Sequence, residues 1–547
     1  MQHGIDHKVG GTPATSWLQR GRRAAGLTRT GQRRAILQAL LALPLLVACA
    51  GLPKLPAEPP SFAIVADGAT RLQRVAVASL EGRAESGFQL LPVATASFEA
   101  RLALAANAEK SLDVQYFEWH GDATGRYLLA QLRLAAERGV RVRVLVDDLH
   151  SDGADTLLSG LAAFDNAQVR LFNPFVRHRG SQLLKLVTSL DDLGRVNHRM
   201  HNKMFVADNT LAVIGGRNIA DEYFMRSGSR NFVDLDILAA GPVVQELSTS
   251  FDSYWNSGHV YPIDSVVPHA ALRERRQAEF NAALAGTGPP PVDRTVPRRY
   301  ESYSRVPADL DAGHLRLIPA RAELRVDPID KASGTRLNER TGTVRAFVGE
   351  FTRAAQTEVV AISPYFVPGK LGMETIEMLS RRGVRMRVLT NSLAATDEPV
   401  VYGGYRRYAV PMLRLGVEIH ELSPSLVRQR GRLGRFGESL GMLHAKIIVV
   451  DRSRVFISSL NIDGRSERYN TELGVLIDSP EIAEDLLEML DFEGSSYQLR
   501  LDSSRESVEW ISGTGERQQV LKSEPEASAW DRFKAGVLDL LLPENWL

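Results

Sequence analysis

Two short segments of the chain carry the same three ionisable residues at the same spacing. In each segment a lysine follows a histidine by two positions, and an aspartate follows the lysine by five. The residues are His201, Lys203 and Asp208 in the first segment, and His444, Lys446 and Asp451 in the second. An imidazole can act as a nucleophile, an acid or a base near neutral pH, and ammonium groups stabilise negative charge that develops in a transition state. The second occurrence of so specific a pattern indicates a functional site rather than chance.

Four apolar residues with a strand-like composition directly follow each histidine–lysine pair. On a β-strand, residues two positions apart point to the same side. We therefore expect His201 and Lys203 to share one face, and the second pair to do the same. Asp208 and Asp451 stand an odd number of positions from their histidines. We expect these two aspartates to hold the site together rather than to take part in the chemistry.

An asparagine follows each set, at the end of a second short apolar stretch. The sequences are Gly215-Gly216-Arg217-Asn218 and Ser458-Ser459-Leu460-Asn461. A chain that returns along the first strand would bring both asparagines alongside the lysines. The copies differ at one position, because Gly216 stands where the second copy has Ser459. We therefore expect a serine hydroxyl to contribute to the site only in the second half of the chain.

Longer segments repeat as well, which indicates a duplicated domain. Arg138–Leu145 returns as Arg382–Leu389, and each contains a strand-like alternation preceded by a helical stretch. The pair Tyr116-Phe117 returns as Tyr365-Phe366. Alternating strands and helices predict a largely parallel or mixed sheet that is covered by helices.

The repeat divides the chain into predicted regions. They are a signal peptide at 1–48, a tether at 49–60, a first domain at 61–262, a linker at 263–344, a second domain at 345–500 and a C-terminal segment at 501–547. The linker contains the loop-like stretch Gly286–Arg299, and we expect little regular structure in it. In the C-terminal segment, Trp530 and Phe533 belong to apolar residues at helical spacing. We favour a helix that packs on the second domain over one that lies on lipid headgroups.

The doubled histidine–lysine–aspartate motif, with its downstream asparagines, resembles the signature of the phospholipase D superfamily. The resemblance implies an α/β fold made of a duplicated phospholipase D-like domain, with a mixed β-sheet flanked by helices. It also implies that a pseudo-twofold axis pairs the two halves and places one active site at their seam. The substrate would be a phosphodiester, and the reaction would need neither a metal ion nor a cofactor.

The same resemblance gives each motif residue a role. His201 would attack phosphorus, and His444 would donate a proton to the leaving oxygen. Both lysines and both asparagines would stabilise the pentavalent transition state. Asp234 and Glu472 would each bind the far side of one imidazole and fix its tautomer.

Further segments resemble bacterial cardiolipin synthases of the C type. They are Asp113–Phe117, Arg199–Lys203, Gly215–Ile219, Leu389–Ala395 and the ending Leu542–Leu547. This resemblance implies transfer of a phosphatidyl group to phosphatidylglycerol, with phosphatidylethanolamine or a second phosphatidylglycerol as the donor. Three alternatives stay open: hydrolysis of phospholipids to phosphatidic acid, nuclease action, and a surface lipoprotein that is not an enzyme.

The amino terminus predicts export and lipid anchoring. A basic segment ends at Arg34, and the fourteen mostly apolar residues after it suit a signal peptide but are too short to span a bilayer. Leu46-Val47-Ala48-Cys49 resembles a bacterial lipobox, which implies that Cys49 is acylated and becomes the first residue of the mature chain. Ala50 favours the outer membrane over the inner membrane, with the protein facing the periplasm. Export by the general or by the twin-arginine route stays open.

Composition excludes several other classes of protein. The single cysteine excludes an internal disulfide framework, a zinc ribbon and an iron–sulfur site. The formal net charge is +1, but residues 1–48 carry +6, so the remainder carries −5. Proteins that work on nucleic acid usually have a basic surplus in their working part. We therefore expect membrane phospholipids, and not nucleic acid, as partners.

Overall fold

The computed structural model describes residues 52, 58–151, 153–175, 179, 182–269, 272–289, 298–334, 342–430, 439–490, 492–513 and 518–541. The predicted signal peptide, the lipidation candidate Cys49, most of the tether and the final residues 542–547 lie outside these ranges. Within them, no helix is both long and apolar enough to cross a membrane.

The strands of the described residues are numbered in chain order. They are β1 Ser86–Leu91, β2 Ser111–Glu118, β3 Arg141–His150, β4 Ala167–Phe172, β5 Arg199–Met200, β6 Met204–Ala207, β7 Leu211–Gly215, β8 Arg230–Val233, β9 Asp236–Ala240, β10 Val260–Pro262, β11 Ile318–Val326, β12 Glu358–Ile362, β13 Arg385–Asn391, β14 Glu418–Leu422, β15 Leu440–Leu443, β16 Ile447–Val450, β17 Arg454–Ser458, β18 Asn470–Thr471, β19 Leu473–Asp478, β20 Ser496–Leu501, β21 Val508–Ser512 and β22 Gln519–Leu521.

The α-helices of the same residues are numbered likewise. They are α1 Arg71–Leu80, α2 Ala94–Asn107, α3 Ala123–Glu137, α4 Asp155–Leu161, α5 Gln182–Thr188, α6 Leu193–Val196, α7 Pro242–Trp255, α8 Ile263–Val266, α9 Arg273–Leu284, α10 Val306–Ala312, α11 Val344–Arg353, α12 Gly369–Arg381, α13 Pro399–Arg414, α14 Pro424–Arg430, α15 Gly464–Arg468, α16 Pro480–Met489, α17 Phe492–Ser495 and α18 Ala529–Leu541. Short 3₁₀ helices lie at Leu190–Asp192, Asp221–Phe224, Arg298–Ser304 and Ile329–Ser333.

Most strands join one continuous mixed sheet. Their order is β10-β4-β3-β2-β6-β7-β9-β1-β11-β19-β17-β16-β12-β13-β14-β20-β21-β22. The strands β2, β3 and β4 run parallel, as do β12, β13 and β14, and the other neighbours are antiparallel. The order β4-β3-β2-β6-β7-β9 recurs as β14-β13-β12-β16-β17-β19. The predicted α/β fold with a duplicated mixed sheet is confirmed.

Local sequence explains why helices cover this sheet. In α3, Leu128, Leu129 and Leu132 fall on one face and are buried. The Asp122 side chain caps the start of that helix by accepting a hydrogen bond from the backbone N–H of Gly125 at 2.9 Å. The helix ends just before Gly139, whose φ of 94° requires the conformational freedom of glycine.

The stretch 263–344 contains more regular structure than the sequence predicts. Its strand β11 pairs antiparallel with β1 of the first half and with β19 of the second, and so joins the two halves of the sheet. The helices α9 and α10 lie in the same stretch. The expectation of an irregular linker is therefore wrong. The sequence of β11, IPARAELRV, mixes charged with apolar residues and resembles that of a surface loop. Its extended form comes from hydrogen bonds to two distant strands.

The register of the repeat also differs from the sequence-based pairing of Tyr116-Phe117 with Tyr365-Phe366. Trp119 pairs with Ile219 in the first half, and Phe366 pairs with Ile462 in the second. Glu118 and Tyr365, which precede Trp119 and Phe366, are therefore the equivalent residues. The similar dipeptides stand two positions out of register, because sequence similarity alone does not specify strand alignment.

The C-terminal helix α18 packs on the second half, as the favoured interpretation predicts. Ala535 belongs to the hydrophobic core that also contains Tyr402, Tyr405 and Ala409 of α13. On another face of α18, the side chains of Trp530 and Phe533 are exposed, and their rings stack with centroids 5.5 Å apart.

Candidate active site

Two short parallel ribbons bring the motif segments of the two halves together. The strand β5 pairs with β18, and β8 pairs with β15. Each ribbon leads directly into a motif histidine, because the His201 N–H donates to the Thr471 carbonyl and the His444 N–H donates to the Val233 carbonyl, both at 2.8 Å. The backbone of each histidine is therefore fixed by the opposite half of the chain.

The side chains of the two histidines are held across the same seam. His201 Nδ1 lies 2.9 Å from Glu472 Oε2, and His444 Nδ1 lies 2.7 Å from Asp234 Oδ2. A carboxylate that accepts the Nδ1 proton leaves the lone pair of Nε2 free for chemistry. The structure thus places both carboxylates at the positions that the sequence analysis gives them, each one on the histidine of the other half.

Both imidazoles line one cavity of about 610 Å³. Asn218 and Asn461 line it too, one from each half, and both are almost completely buried. The Asn218 amide donates to Glu118 Oε2 at 3.2 Å and to the Tyr223 hydroxyl at 2.9 Å. The sequence therefore places the histidines and asparagines of both motifs correctly around a single pocket.

The motif lysines lie buried beside the histidines and are not part of the cavity lining. The Lys203 ammonium donates to the backbone carbonyl of His201 at 2.8 Å, and Lys446 makes the same contact with His444. Burial, together with the charge of Lys446, lowers the pKa of Lys203 to about 7. Burial lowers the pKa of Lys446 to about 8, although nearby carboxylates oppose that change. The cavity is therefore flanked by two cations that gain stability when an anion enters.

The two histidines differ in their electrostatic surroundings. Burial and the charges of Lys203 and Lys446 lower the pKa of His201 well below its usual value. Burial and Lys446 also lower the pKa of His444, but there the Asp234 carboxylate opposes the change through its charge and its hydrogen bond. The geometry favours a neutral His201 and a His444 that is more readily protonated.

Their carboxylate partners differ as well. Burial would raise the pKa of Asp234, but His444, Lys446 and other nearby cations hold it at about 2. Burial raises the pKa of Glu472 to about 7, against the opposing effects of Lys203 and of the Ser459 hydroxyl. Asp234 is ionised throughout the physiological range, whereas Glu472 exchanges its proton near neutral pH.

The glycine–serine difference between the motifs has a steric cause. Ser459 Oγ donates to Glu472 Oε2 at 2.5 Å and accepts a hydrogen bond from the Leu473 N–H at 3.0 Å. At Gly216, a Cβ atom would lie 2.2 Å from Asp234 Oδ1. The first half therefore combines a glycine with the shorter carboxylate, and the second half combines a serine with the longer one.

Asp208 and Asp451 lie outside the cavity and bind the backbone. The Asp208 carboxylate accepts hydrogen bonds from the N–H groups of three successive residues that end at Ser111, and Asp451 does the same for three residues that end at Glu358. These residues lead into β2 and β12, the strands next to the motif strands. The geometry gives both aspartates a structural role.

Aromatic residues to which the sequence analysis gives no role in the site pack against the imidazoles. The ring of Phe117 lies edge-on to His201 at 4.8 Å, and that of Tyr223 lies edge-on to His444 at 5.1 Å. Phe232 also contacts His444, at 5.0 Å. Tyr223 comes five residues after Asn218, so its position after the motif was the available signal. The contact itself joins distant segments and has no local pattern.

One group near the cavity has the residue types of a metal site. Ligand atoms of Glu118, His120 and Glu222 lie within 4.8 Å of one another. His120 Nε2 lies 2.7 Å from Glu118 Oε1, and that contact raises the pKa of the imidazole to about 9. Within this cluster, His120 and Glu118 form an ion pair, and the charge of Glu222 also contributes to the raised pKa of His120.

Comparison with known proteins identifies the family. The family model described as "Cardiolipin synthase, PLD-like domain" matches residues 102–255 and 350–492, which contain both motifs. Cardiolipin synthase C of Escherichia coli K12 is 37% identical over 460 residues, which are 82% of this chain and 94% of that protein. Cardiolipin synthase A of Pseudomonas fluorescens SBW25 is 26% identical over 78% of this chain and 72% of its own length.

A solved structure shares the fold. The match to the crystal structure of phosphatidylserine synthase from Haemophilus influenzae Rd KW20 covers 86% of this chain and 96% of the synthase chain. Its TM-score is 0.52, and the sequence identity is 15%. At that identity, the likeness concerns the fold alone.

These matches confirm the assignment to the phospholipase D superfamily and exclude the alternative of a lipoprotein that is not an enzyme. Both matched regions contain a complete motif, and the histidines and asparagines of the two motifs line one cavity. The chain therefore belongs to the cardiolipin synthase family of phospholipase D-like phosphatidyltransferases.

Proposed function

We propose that the protein forms cardiolipin by transferring a phosphatidyl group from a donor phospholipid to phosphatidylglycerol. The donor would be phosphatidylethanolamine or a second phosphatidylglycerol. The observation that carries the proposal is the pair of histidines in one cavity, each held at Nδ1 by a carboxylate of the opposite half. The cardiolipin synthases among the relatives support this substrate class.

The first step would break the bond between phosphorus and the donor's headgroup oxygen. Neutral His201 attacks phosphorus through Nε2 and forms a phosphohistidine, while protonated His444 gives its Nε2 proton to the departing alcohol. The contrast in carboxylates supports this division of roles, because ionised Asp234 stabilises an imidazolium at His444. Burial and two nearby ammonium groups favour neutral imidazole at His201.

The second step would reverse the first with another alcohol. Neutral His444 takes the proton from a hydroxyl of phosphatidylglycerol, whose oxygen attacks phosphorus and displaces His201. Each lysine uses one N–H for a backbone carbonyl, so two remain to stabilise the phosphate oxygens as charge develops on them. Water in place of the alcohol would give phosphatidic acid, so access of water to the cavity decides between transfer and hydrolysis.

We also propose that the mature protein is a lipoprotein anchored through Cys49, facing the periplasm and held by the outer membrane. The lipobox-like sequence at the end of the signal peptide supports this location. Two phospholipase D-like domains, at 61–262 and 345–500, would then stand at the surface that holds their substrates.

Product analysis tests the proposed reaction. The purified full chain is incubated with vesicles of phosphatidylglycerol and phosphatidylethanolamine, and the lipids are separated by thin-layer chromatography. We expect cardiolipin to accumulate, and ethanolamine to be released if phosphatidylethanolamine is the donor. Phosphatidic acid without cardiolipin would replace the proposal with hydrolysis, and no change in either lipid would contradict it.

A further inference from the structure

Two adjacent carboxylates stand in the lining of a cavity that has to bind an anion. Asp397 and Glu398 lie immediately before α13 and line the pocket that contains His201 and His444. In the part of the chain that the structure describes, neither carboxylate forms an ion pair, and the largest electrostatic effect of a cation on Glu398 comes from Arg465, which lines the same cavity. Carboxylates without a cationic partner repel a phosphodiester, so their presence here needs another explanation.

Helix capping does not explain these side chains. Glu398 occupies the N-cap position of α13, but its side chain makes no capping hydrogen bond and is exposed. Asp397 is half-buried, and its Oδ1 accepts a hydrogen bond from the Tyr365 hydroxyl at 2.7 Å. Tyr365 also lines the cavity, so this contact holds the Asp397 carboxylate at the pocket wall.

An independent feature of the same cavity also calls for a hydrogen-bond donor. Asn461 lines the pocket and is only 6% exposed, yet its side-chain oxygen has no hydrogen-bond partner, and the same holds for the oxygen of Asn218 in the other half. A buried amide oxygen without a partner costs free energy that a bound donor recovers. Among the described residues, Asn461 Oδ1 and the Glu398 carboxylate have no donor, and Asp397 has only the Tyr365 hydroxyl. A donor group from outside the chain would satisfy all three.

Asp397 lies on the His444 side of the cavity, where the headgroup would leave. Asn391, six residues before Asp397, forms hydrogen bonds with both backbone groups of Leu443, the residue before His444. The charge of Asp397 also opposes the lowering of the pKa of Lys446 by burial.

Tyr223, whose pKa is raised by burial and also by Asp397, packs on the His444 ring. In an in-line displacement with His201 as nucleophile, the leaving headgroup departs on the side of His444, and the accepting alcohol enters there.

We propose that Asp397 and Glu398, with Tyr365 positioning the aspartate, form a subsite for the part of the headgroup that lies beyond the phosphate. This subsite accepts hydrogen bonds from hydroxyl or primary ammonium groups of the departing headgroup and of the accepting alcohol. It rests on the proposed function and adds to it the residues that select the headgroup. A quaternary ammonium has no N–H or O–H to donate, so a choline headgroup binds poorly.

The test compares donors that differ only in the headgroup. The full chain acts on vesicles of constant phosphatidylglycerol content that contain trace donor labelled in its ethanolamine, glycerol or choline headgroup, and the rate of headgroup release is measured. The variants are Asp397→Asn, which keeps the oxygen that accepts from Tyr365, and Glu398→Gln. The control is Glu246→Gln, because Glu246 is an exposed glutamate on α7 outside the cavity.

We expect the wild type to prefer ethanolamine or glycerol donors to choline donors. At least one subsite variant should reduce that preference by about tenfold, the change expected for the loss of one charge-assisted hydrogen bond. A selective loss with ethanolamine identifies an ammonium as the ligand, a selective loss with glycerol identifies hydroxyls, and a loss with both identifies a shared subsite.

Two results would overturn the subsite. The first is an equal fall in the rate of headgroup release for all three donors in both variants. The second is that both variants keep the preference over choline donors unchanged, as Glu246→Gln does. Failure of the proposed function itself has a different signature, because the wild type would then release no headgroup from any donor.

Discussion

At the scale of single residues, the two carboxylates that hold the imidazoles are chemically unequal. Asp234 has a pKa of about 2 and stays ionised, whereas burial raises the pKa of Glu472 to about 7. Only ionised Glu472 keeps the proton of His201 on Nδ1, and a nucleophilic Nε2 depends on that tautomer. The duplicated motif therefore contains a built-in asymmetry that can distinguish nucleophile from acid.

This asymmetry predicts a bell-shaped pH profile of kcat/KM. The rate should rise as Glu472 loses its proton near pH 7. It should fall as His444, the proton donor, and the two lysines lose theirs; the pKa of His444 is lowered by burial, and those of Lys203 and Lys446 are about 7 and 8. Steady-state rates with vesicle substrates at constant ionic strength measure it. A profile flat from pH 6 to about pH 9 would contradict the assignment of these groups.

The Ser459 hydroxyl stabilises the ionised form of Glu472, so its removal should shift only one limb of that profile. In Ser459→Ala we expect the acidic limb to move to higher pH and the alkaline limb to stay in place. Ser504→Ala, at an exposed hydroxyl that bonds Asp502, serves as the control. Movement of both limbs together, or of neither, would show that Ser459 does not act through Glu472.

At this scale the sequence predicts a great deal. The histidines, lysines, asparagines and both carboxylates follow from the motif and the family resemblance. The aromatic contacts of Phe117, Tyr223 and Phe232 with the imidazoles do not, because they join residues far apart in the chain and leave no periodic signal.

At the scale of structural elements, Asp208 and Asp451 connect the motif strands to the start of the neighbouring strands. Each carboxylate binds three backbone N–H groups. The odd spacing of both aspartates from their histidines predicts that they do not share the face of the strand that carries the histidine and lysine. Their backbone hydrogen-bond partners could not be predicted from spacing and are visible only in the structure. By contrast, β11 was not predicted, because its sequence is polar and gives no indication that it pairs with two distant strands.

The aspartate contacts predict a loss of stability in Asp208→Ala. Three hydrogen bonds to a buried carboxylate are lost, so the free energy of unfolding should fall by about 3 kcal/mol. Denaturant unfolding monitored by circular dichroism measures the change. The equivalent Asp451→Ala should cost less, because Asp451 is the more exposed of the two. Unchanged stability in Asp208→Ala would contradict the structural role.

At the scale of the whole molecule, the duplicated halves form one site because each supplies the carboxylate that holds the other's histidine. The doubled motif predicts this pairing of the halves through the family resemblance. The pairing of β5 with β18 and of β8 with β15 is visible only in the structure. A single half would contain one histidine without its carboxylate partner, so we expect activity only when both halves are present.

Membrane attachment also belongs to this scale. If Cys49 carries the lipid anchor, Cys49→Ser should release the protein from the membrane fraction into the soluble periplasmic fraction or leave it as an unprocessed precursor. Cell fractionation followed by immunoblotting measures both outcomes. Processed Cys49→Ser protein that remains in the membrane fraction would contradict anchoring through this residue.

The most direct test of the mechanism is to trap the covalent intermediate. A phosphatidyl ester of p-nitrophenol needs no proton from His444 to depart, so His444→Asn should form the intermediate but release it slowly, because the base for the second step is missing. Mass spectrometry of rapidly quenched protein would then locate the adduct. We expect a phosphatidyl group on His201 in His444→Asn and none in His201→Asn. An adduct on His444 in His201→Asn, or none in either variant, would contradict this mechanism.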